Sequence, residues 1–457
     1  MSFPRYPAYK DSGVEWIGEI PVGWNLERVK CSVLECKNGV WGHEPQFDND
    51  DITCVRVADF DREKLIISPL SLTVRNIKQE DIIGREVLFG DLLIEKSGGG
   101  EKQPVGCVVF YSLNHKSVCS NFIARMKISN SFVNKYLLYV HKFLYNSGVT
   151  VRSIKQTSGI QNLDQNSYLN EKIPVPPHPE QQAIANFLDR ECGKIDALIA
   201  EQERLIALLA EKRQAVISHA VTKGLNPNAP MKDSGIPWIG MVPEGWEVVT
   251  AGRVVRVISG FAFPSDKFLK YGEGVPLLRG VNVGVGKLRW DDVVYWKRQI
   301  DDGLDIYELK EGDIVIGMDR PWISSGLRIS KIYKKDLPCL LLQRVGLLRL
   351  KKYLNSSFLM YQYSLPNFMH FLAPEMTGVS VPHISPSQIA SFPICLPSRK
   401  IQDEIVTYLA RAITEFESLI LTATNAITLL KERRAALISA AVTGKIDVRA
   451  QNKALAA

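Results

Sequence analysis

Residues 10–24 read KDSGVEWIGEIPVGW, and residues 232–246 read KDSGIPWIGMVPEGW. Lys10, Asp11, Ser12, Gly13, Trp16, Ile17, Gly18, Pro21, Gly23 and Trp24 all recur without a gap, at an offset of 222. A second pair follows: EKRQAVISHAVT at 211–222 and ERRAALISAAVT at 432–443, at an offset of 221. Two such pairs in one register are not chance. The chain has the order A-B-A′-B′, with halves of nearly equal length.

The B segments read as helices. Between Glu180 and Val221 there is one glycine, Gly193, and no proline. Ile184, Leu188, Ile195, Leu198, Leu205, Leu209 and Val216 alternate spacings of three and four, which makes one apolar stripe. Ile405, Leu409, Phe416, Leu419, Leu430 and Leu437 make its counterpart in B′. Pro176, Pro177 and Pro179 open the first helix, and Gly224 with Pro227 closes it; Pro397 and Gly444 bound the second. Each helix of about 40 residues is roughly 60 Å long. A lone helix of that length has no core for its stripe. The two are therefore expected to pair as an antiparallel coiled coil.

The intervening regions, about 25–172 and 247–391, hold short apolar runs such as ITCVRV, EVLFGDLLIE, GCVVFY and GDIVIG. These predict short strands joined by turns. A helix closes each region, SFVNKYLLYVHKFL in the first and SSFLMYQYSLPNFMHFL in the second. The expected fold is α+β with a pseudo-twofold internal repeat. Its parts are a first domain at 1–172, a helical repeat at 173–224, a second domain at 225–391, and a second helical repeat with the tail at 392–457.

Composition narrows the class. The 457 residues are 46% hydrophobic and 23% charged, which supports folded cores and not disorder. A net charge of +7 leans toward a polyanionic partner. The eight cysteines are scattered with no Cys-x-x-Cys pair, so neither a zinc site nor a disulfide framework is expected, and the thiols read as reduced, in a cytoplasmic protein. No signal peptide or membrane span is expected.

The two domains share a skeleton under differing surfaces. Gly90-Asp91-Leu92-Leu93-Ile94 matches Gly312-Asp313-Ile314-Val315-Ile316 at offset 222. Val55-Arg56-Val57 corresponds to Leu278-Arg279-Gly280, and Thr157-Ser158-Gly159-Ile160 resembles Thr377-Gly378-Val379-Ser380. One scaffold with different surface residues suggests one fold reading two different things.

The repeated KDSG..WIG..P.GW motif, the GD-hydrophobic strand, the TG or SG loop, the Pro-rich link and the long helix ending in AVT resemble the specificity subunits of Type I restriction-modification enzymes. SGFAFPSDKF at 259–268 is similar to the start of that family's target-recognition domains. The resemblance covers essentially the whole chain. It implies two target-recognition domains, each reading half of a bipartite asymmetric DNA site. It implies that the paired helices set the spacer and dock two methyltransferase (modification) subunits. Restriction and motor subunits would join through the complex. The chain itself would be a non-catalytic member of a DNA adenine methyltransferase and restriction endonuclease, and would bind no cofactor. S-adenosylmethionine, ATP and Mg would sit on the partner subunits.

The motif content agrees with that implication. No Asn/Asp-Pro-Pro-aromatic motif is present to hold a flipped base, since Pro176-Pro177 lies between Val175 and His178. No P-loop is present; Gly98-Gly99-Gly100 is followed by Glu101, which would repel phosphate, and reads as a loop tip. Glu308-Leu309-Lys310 has the spacing of a nuclease fragment but no metal-binding partner, and reads as solvated surface. Two other readings keep the fold and change the role: a specificity subunit for a fused Type IIB nuclease-methyltransferase, and a DNA-independent scaffold.

Base edges are read by Arg, Asn, Gln, Ser and Thr, while Lys, Arg and backbone amides hold phosphates. Candidates in the first domain are Arg56, Lys96, Ser97, Lys102, Gln103, Asn121, Lys155, Gln156, Thr157, Ser158 and Gln161. Those in the second are Arg279, Asn282, Arg320, Trp322, Gln343, Arg344, Thr377, Ser380 and His383. Trp16, Trp24, Trp238 and Trp246 recur at fixed spacing, so they are expected to pack each domain on the helices and not to stack on bases. Asp91 and Asp313 read as turn residues.

Overall fold

Both copies of the repeated motif are small ribbons closed by their own side chains. Tyr9–Asp11 pairs antiparallel with Glu19–Pro21, and Met231–Asp233 with Met241–Pro243. Asp11 Oδ1 accepts from the Gly13 amide at 2.9 Å, and Asp233 Oδ1 from Gly235 at 3.1 Å. Gly13 and Gly235 have φ of 65° and 72°, a left-handed turn that a side chain would strain. Ser12 and Ser234 accept from the amides two residues on. These local bonds explain why Asp-Ser-Gly is spelled identically twice.

The computed structural model describes residues 3–156, 159–270, 272–375 and 383–449. The chain divides into two units, Met1–Arg204 with Ala423–Ala457, and Leu205–Thr422. In the first unit a sheet runs in the order Val33–Asn38, Ile123–Ile128, Leu92–Glu95, Val108–Phe110, Ile66–Ile67, Phe60–Asp61. A three-stranded sheet joins Val118–Cys119, Asp51–Val55 and Thr73–Asn76. The second unit repeats this plan. Its four-stranded sheet is Val255–Ser259, Val345–Leu350, Ile314–Gly317, Ile329–Lys331, and its three-stranded sheet is Leu340–Leu341, Val275–Leu278, Val294–Trp296. In each unit the strand after the ribbon pairs with the strand before a long helix: Asn25–Arg28 with Lys172–Val175, and Glu247–Thr250 with Pro393–Leu396.

The GD turns behave as read. Asp91 Oδ2 accepts from the Leu88 amide and Asp313 Oδ2 from Lys310, after glycines at φ 97° and 88°. The closing helix of the first region is continuous over Asn134–Asn146, but the second is broken into Ser356–Tyr363 and Pro366–Leu372. Pro366 cannot donate a helical hydrogen bond, so it starts a new helix.

The long helices are His178–Lys223 and Arg399–Val442. Within the first unit, Arg434 Nε lies 3.0 Å from Asp196 Oδ1, and Ile184, Leu188 and Cys192 share a core with Ile438, Ala441 and Val442. Within the second, Arg213 lies 3.9 Å from Glu417, and Ile217 and Val221 share a core with Ile405 and Leu409. In both, an early stretch of one helix meets a late stretch of the other. The stripe read from sequence needs one correction. Leu198, Leu205 and Leu419 are exposed, whereas Ile199, Ile206 and Ile420 are half-buried. One position along a helix turns a side chain by about 100°, so alternating threes and fours can be read one residue off the buried line.

One buried glutamine ties each long helix to its domain. Gln181 accepts from the Val133 amide at 3.0 Å and donates to Pro176 O at 3.0 Å. Gln402 accepts from the Asn355 amide at 2.8 Å and donates to Pro397 O at 2.9 Å. Val133 and Asn355 are the residues before the closing helices. Trp24 and Trp246 pack on the far ends of the long helices: a Cβ at Gly444 would meet Trp24 Cη2 at 3.3 Å, and one at Gly224 would meet Trp246 Cζ2 at 3.1 Å. Trp16 and Trp238 pack against the clusters that hold the long-helix residues and also lie on aromatics of their own domains, Phe143 at 5.8 Å and Phe392 at 5.5 Å.

One buried group makes the first unit acid-sensitive. His141 is fully enclosed, its Nδ1 2.6 Å from the Tyr168 hydroxyl. Burial pushes its pKa down to about 4, from an ordinary value near 6.5. The unfolded chain therefore binds a proton that the folded one resists. Stability present above pH 6.5 is lost as pH falls toward 4, by on the order of 3 kcal/mol. His141→Gln is expected to flatten this slope. Denaturant titrations at pH 7 and pH 4.5 check it: a wild-type-to-variant difference that is the same at both values refutes the assignment.

Candidate nucleic-acid interface

In each unit the sequence candidates gather where two central strands run out into loops. Ile123 pairs with Glu95 in the first unit, and Val345 pairs with Gly317 in the second. The loops beyond are latched alike. The Lys96 amide donates to Phe122 O at 2.7 Å, and the Met318 amide to Arg344 O at 3.0 Å. The Ser120 amide donates to Val55 O, and the Leu342 amide to Leu278 O. The next residues of those last two strands are the arginines, Arg56 and Arg279.

Each arginine is mounted on a buried polar residue three positions on. The Arg56 amide donates to Asp59 Oδ2 at 2.7 Å, and the Arg279 amide to Asn282 Oδ1 at 3.0 Å. Asp59 and Asn282 are buried. Asn282 Nδ2 donates to Arg289 O and Asp292 O, both at 2.9 Å. All its polar atoms are engaged inside the fold, so it is removed from the base-reading candidates. Its role is to hold the loop that carries Arg279. Arg279 itself donates to Asp292 at 2.7 Å.

The first unit's edge surrounds a hollow of about 460 Å³ lined by Arg56, Ser97, Gly98, Gly99, Asn121 and Phe122, with Trp41 on one side. Glu95 lies at its floor, 1% exposed, and pairs with Arg62 at 2.7 Å. Burial pushes the Glu95 carboxyl above its ordinary value while Arg62 opposes that. A neighbouring hollow of about 940 Å³ shares Glu95 and Gly99 and adds Lys102 and Gln103. Gly99 is not merely a tip: a Cβ there would come 2.7 Å from the Val105 amide. Lys96 is turned to Asn38 at 2.8 Å, Lys155 pairs with Asp164 at 2.6 Å, and Ser97 Oγ donates to Asn162. Gln156 is exposed on the strand Ile154–Gln156. Gln161 is corrected as a candidate. It is buried and its Oε1 accepts from the Val105 amide at 3.2 Å, because the strand alternation that exposes Asn162 turns Gln161 inward. Thr157 and Ser158 lie outside the described residues.

The second unit's edge is cationic. Arg320, Gln343, Arg344 and His383 are all exposed, and Arg344 and His383 pair with Asp319. Trp322 is half-buried with its ring 5.7 Å from Phe368, so one face belongs to the core. Thr377 and Ser380 lie outside the described residues. Among the described residues no three His, Cys, Asp or Glu side chains are grouped to hold a metal, and no helix is long and apolar enough to cross a membrane.

The family described as Type I restriction modification DNA specificity domain matches residues 85–206 and 243–428. The chain belongs to this family. The specificity subunit is 28% identical over 345 residues to the Type I restriction enzyme MjaVIII specificity subunit of Methanocaldococcus jannaschii, covering 74% of this chain and 77% of that one. It is 34% identical over 206 residues to the EcoAI specificity subunit of Escherichia coli, covering 44% and 34%. Its fold is similar to a chain solved in a type I R-M system, with a TM-score of 0.69 at 17% identity over 93% of this chain and 98% of that one. It is also similar to the HsdS subunit from Thermoanaerobacter tengcongensis, with a TM-score of 0.54 at 17% identity over 95% and 100%. DNA sequence recognition is thus the role of this specificity subunit within a restriction-modification system.

Four residues that the sequence reading passed over stand at this edge: Trp41 and Phe122 in the first unit, Asp319 and Arg328 in the second. A signal existed for two. At offset 222 Asn121-Phe122 aligns with Gln343-Arg344, and Ser97-Gly98 with Asp319-Arg320. Following the repeat past the GD strand would have found them.

Proposed function

We propose that each unit reads one half of a bipartite, asymmetric DNA site through the loop edge described above. The observation that carries this is the contrast at equivalent positions. Ser97, Gly98, Asn121 and Phe122 in one unit stand where Asp319, Arg320, Gln343 and Arg344 stand in the other, on loops latched by the same backbone bonds. A set of four uncharged residues with one aromatic ring and a charged set with two arginines suit different base pairs. The long helices pair as an antiparallel coiled coil, set the number of unread base pairs between the halves, and dock two methyltransferase subunits. Exposed Leu208, Leu419 and Leu429 supply apolar surface for that docking. S-adenosylmethionine, ATP and Mg belong to the partner subunits, restriction subunits join through the complex, and the assembly works in the cytoplasm.

Modification profiling tests the reading. The chain would be expressed with a modification methyltransferase of its host, and genomic DNA would be sequenced with methylation detection. The expected result is one bipartite motif, methylated on both strands and missing without this chain. No new motif, from a methyltransferase shown active with another specificity subunit, would refute it.

A further inference from the structure

The second unit places a carboxylate among its exposed cations. Asp319 Oδ1 accepts from His383 Nδ1 at 2.6 Å and lies 3.5 Å from Arg344 Nη1. The main-chain carbonyls of Asp319 and Arg320 accept from Arg328 Nη1 at 3.0 and 3.4 Å. Arg328 is anchored in turn through Nε to Val283 O at 3.0 Å. Arg320 and Arg344 both adopt positive φ, 45° and 74°. Residues with side chains rarely do so, and each instance costs about 1–3 kcal/mol unless its surroundings impose it.

The side chains of Asp319, His383 and Arg344 remain 40%, 40% and 58% exposed. Ion pairs so exposed contribute about 0–1 kcal/mol to stability, so the cluster does little for the fold. Its consequence is orientation: His383 is hydrogen-bonded to Asp319 Oδ1 and Arg344 is drawn toward the same oxygen at 3.5 Å, which biases both toward one arrangement before any ligand arrives. A carboxylate at this place would be repelled by phosphates. The cluster therefore suits base edges in a groove better than the DNA backbone.

We propose that Asp319 is the positioning residue of the second unit, fixing Arg344 and His383 so that the Arg344 guanidinium meets the O6 and N7 edge of a guanine. This rests on the reading of the loop edge as the DNA interface. The test is methylation profiling of the full complex carrying Asp319→Asn, Arg344→Ala or both. The wild-type motif is expected to contain a G·C pair that both single variants relax, by about tenfold or more. The double variant is expected to relax it no further than Arg344→Ala, and the other half of the motif to stay unchanged. That unchanged half reports that the complex still folds. A wild-type motif that Asp319→Asn leaves intact overturns the inference alone, as does equal weakening of both halves. So does a loss in Arg344→Ala that is uniform over all sequences and sensitive to salt, which marks a phosphate contact. A wild-type chain with no motif overturns the interface reading and this inference with it.

Discussion

Gln181→Ala is expected to destabilise the first unit by about 2–5 kcal/mol. The side chain is 1% exposed and both its ends are used. Removing it strands the Val133 amide and the Pro176 carbonyl, and a buried polar group left without a partner costs about 1–3 kcal/mol. The alanine also leaves a cavity beside the helix start. Gln402→Ala should do the same to the second unit, since its contacts repeat those of Gln181. Gln181→Glu is the sharper control. It keeps the acceptor for the Val133 amide but loses the donor to Pro176 O, and it buries a charge. Denaturant titration of the variants measures this. A cost below about 1 kcal/mol for Gln181→Ala would show that the junction does not depend on the glutamine.

Deleting seven residues from each long helix is expected to shorten the spacer of the recognised site by about three base pairs. A seven-residue step preserves the face that a helix presents. It removes about 10 Å of helix at 1.5 Å per residue, and the duplex rises about 3.4 Å per base pair. Suitable deletions fall near Glu201–Ala207 and Leu421–Ile427, away from the anchoring glutamines and glycines and from Leu208, Leu419 and Leu429. Both half-sites should keep their sequences, because no residue of either loop edge is touched. Profiling the modified motif measures the gap. An unchanged gap with normal modification would end the ruler model; unchanged half-sites with a shorter gap would support it.

The repeat was legible because local chemistry wrote it twice. Asp11 with Gly13 and Asp233 with Gly235 close turns through neighbouring atoms, so their spelling is fixed by sequence-local bonds. The long helices were legible through their spacing and their proline and glycine bounds. The buried line was not: Leu198 and Ile199 are both apolar neighbours, and only the partner helix decides which turns inward. The candidate edge was partly legible. Arg56, Asn121, Arg279, Gln343, Arg344 and His383 were chosen for their chemistry, and the structure brings each group to one edge. Gln161 and Asn282 have the same chemistry but serve buried backbone atoms. Composition cannot separate a polar side chain that faces a ligand from one that satisfies its own chain. Asp319 escaped notice for the opposite reason, because an acid is not an obvious choice for a polyanionic partner.

The mounting of the two arginines has an evolutionary consequence. Asp59 and Asn282 grip the main chain of Arg56 and Arg279, and the guanidinium ends are held by carboxylates of the same unit, Asp59 at 3.2 Å and Asp292 at 2.7 Å. Substitutions at 97, 121 and 122, or at 319, 320, 343 and 344, therefore alter the outward chemistry while the grip stays intact. A lineage can drift to a new target through changes that folding barely penalises. Selection by invaders that escape the old target then acts on variants that already fold.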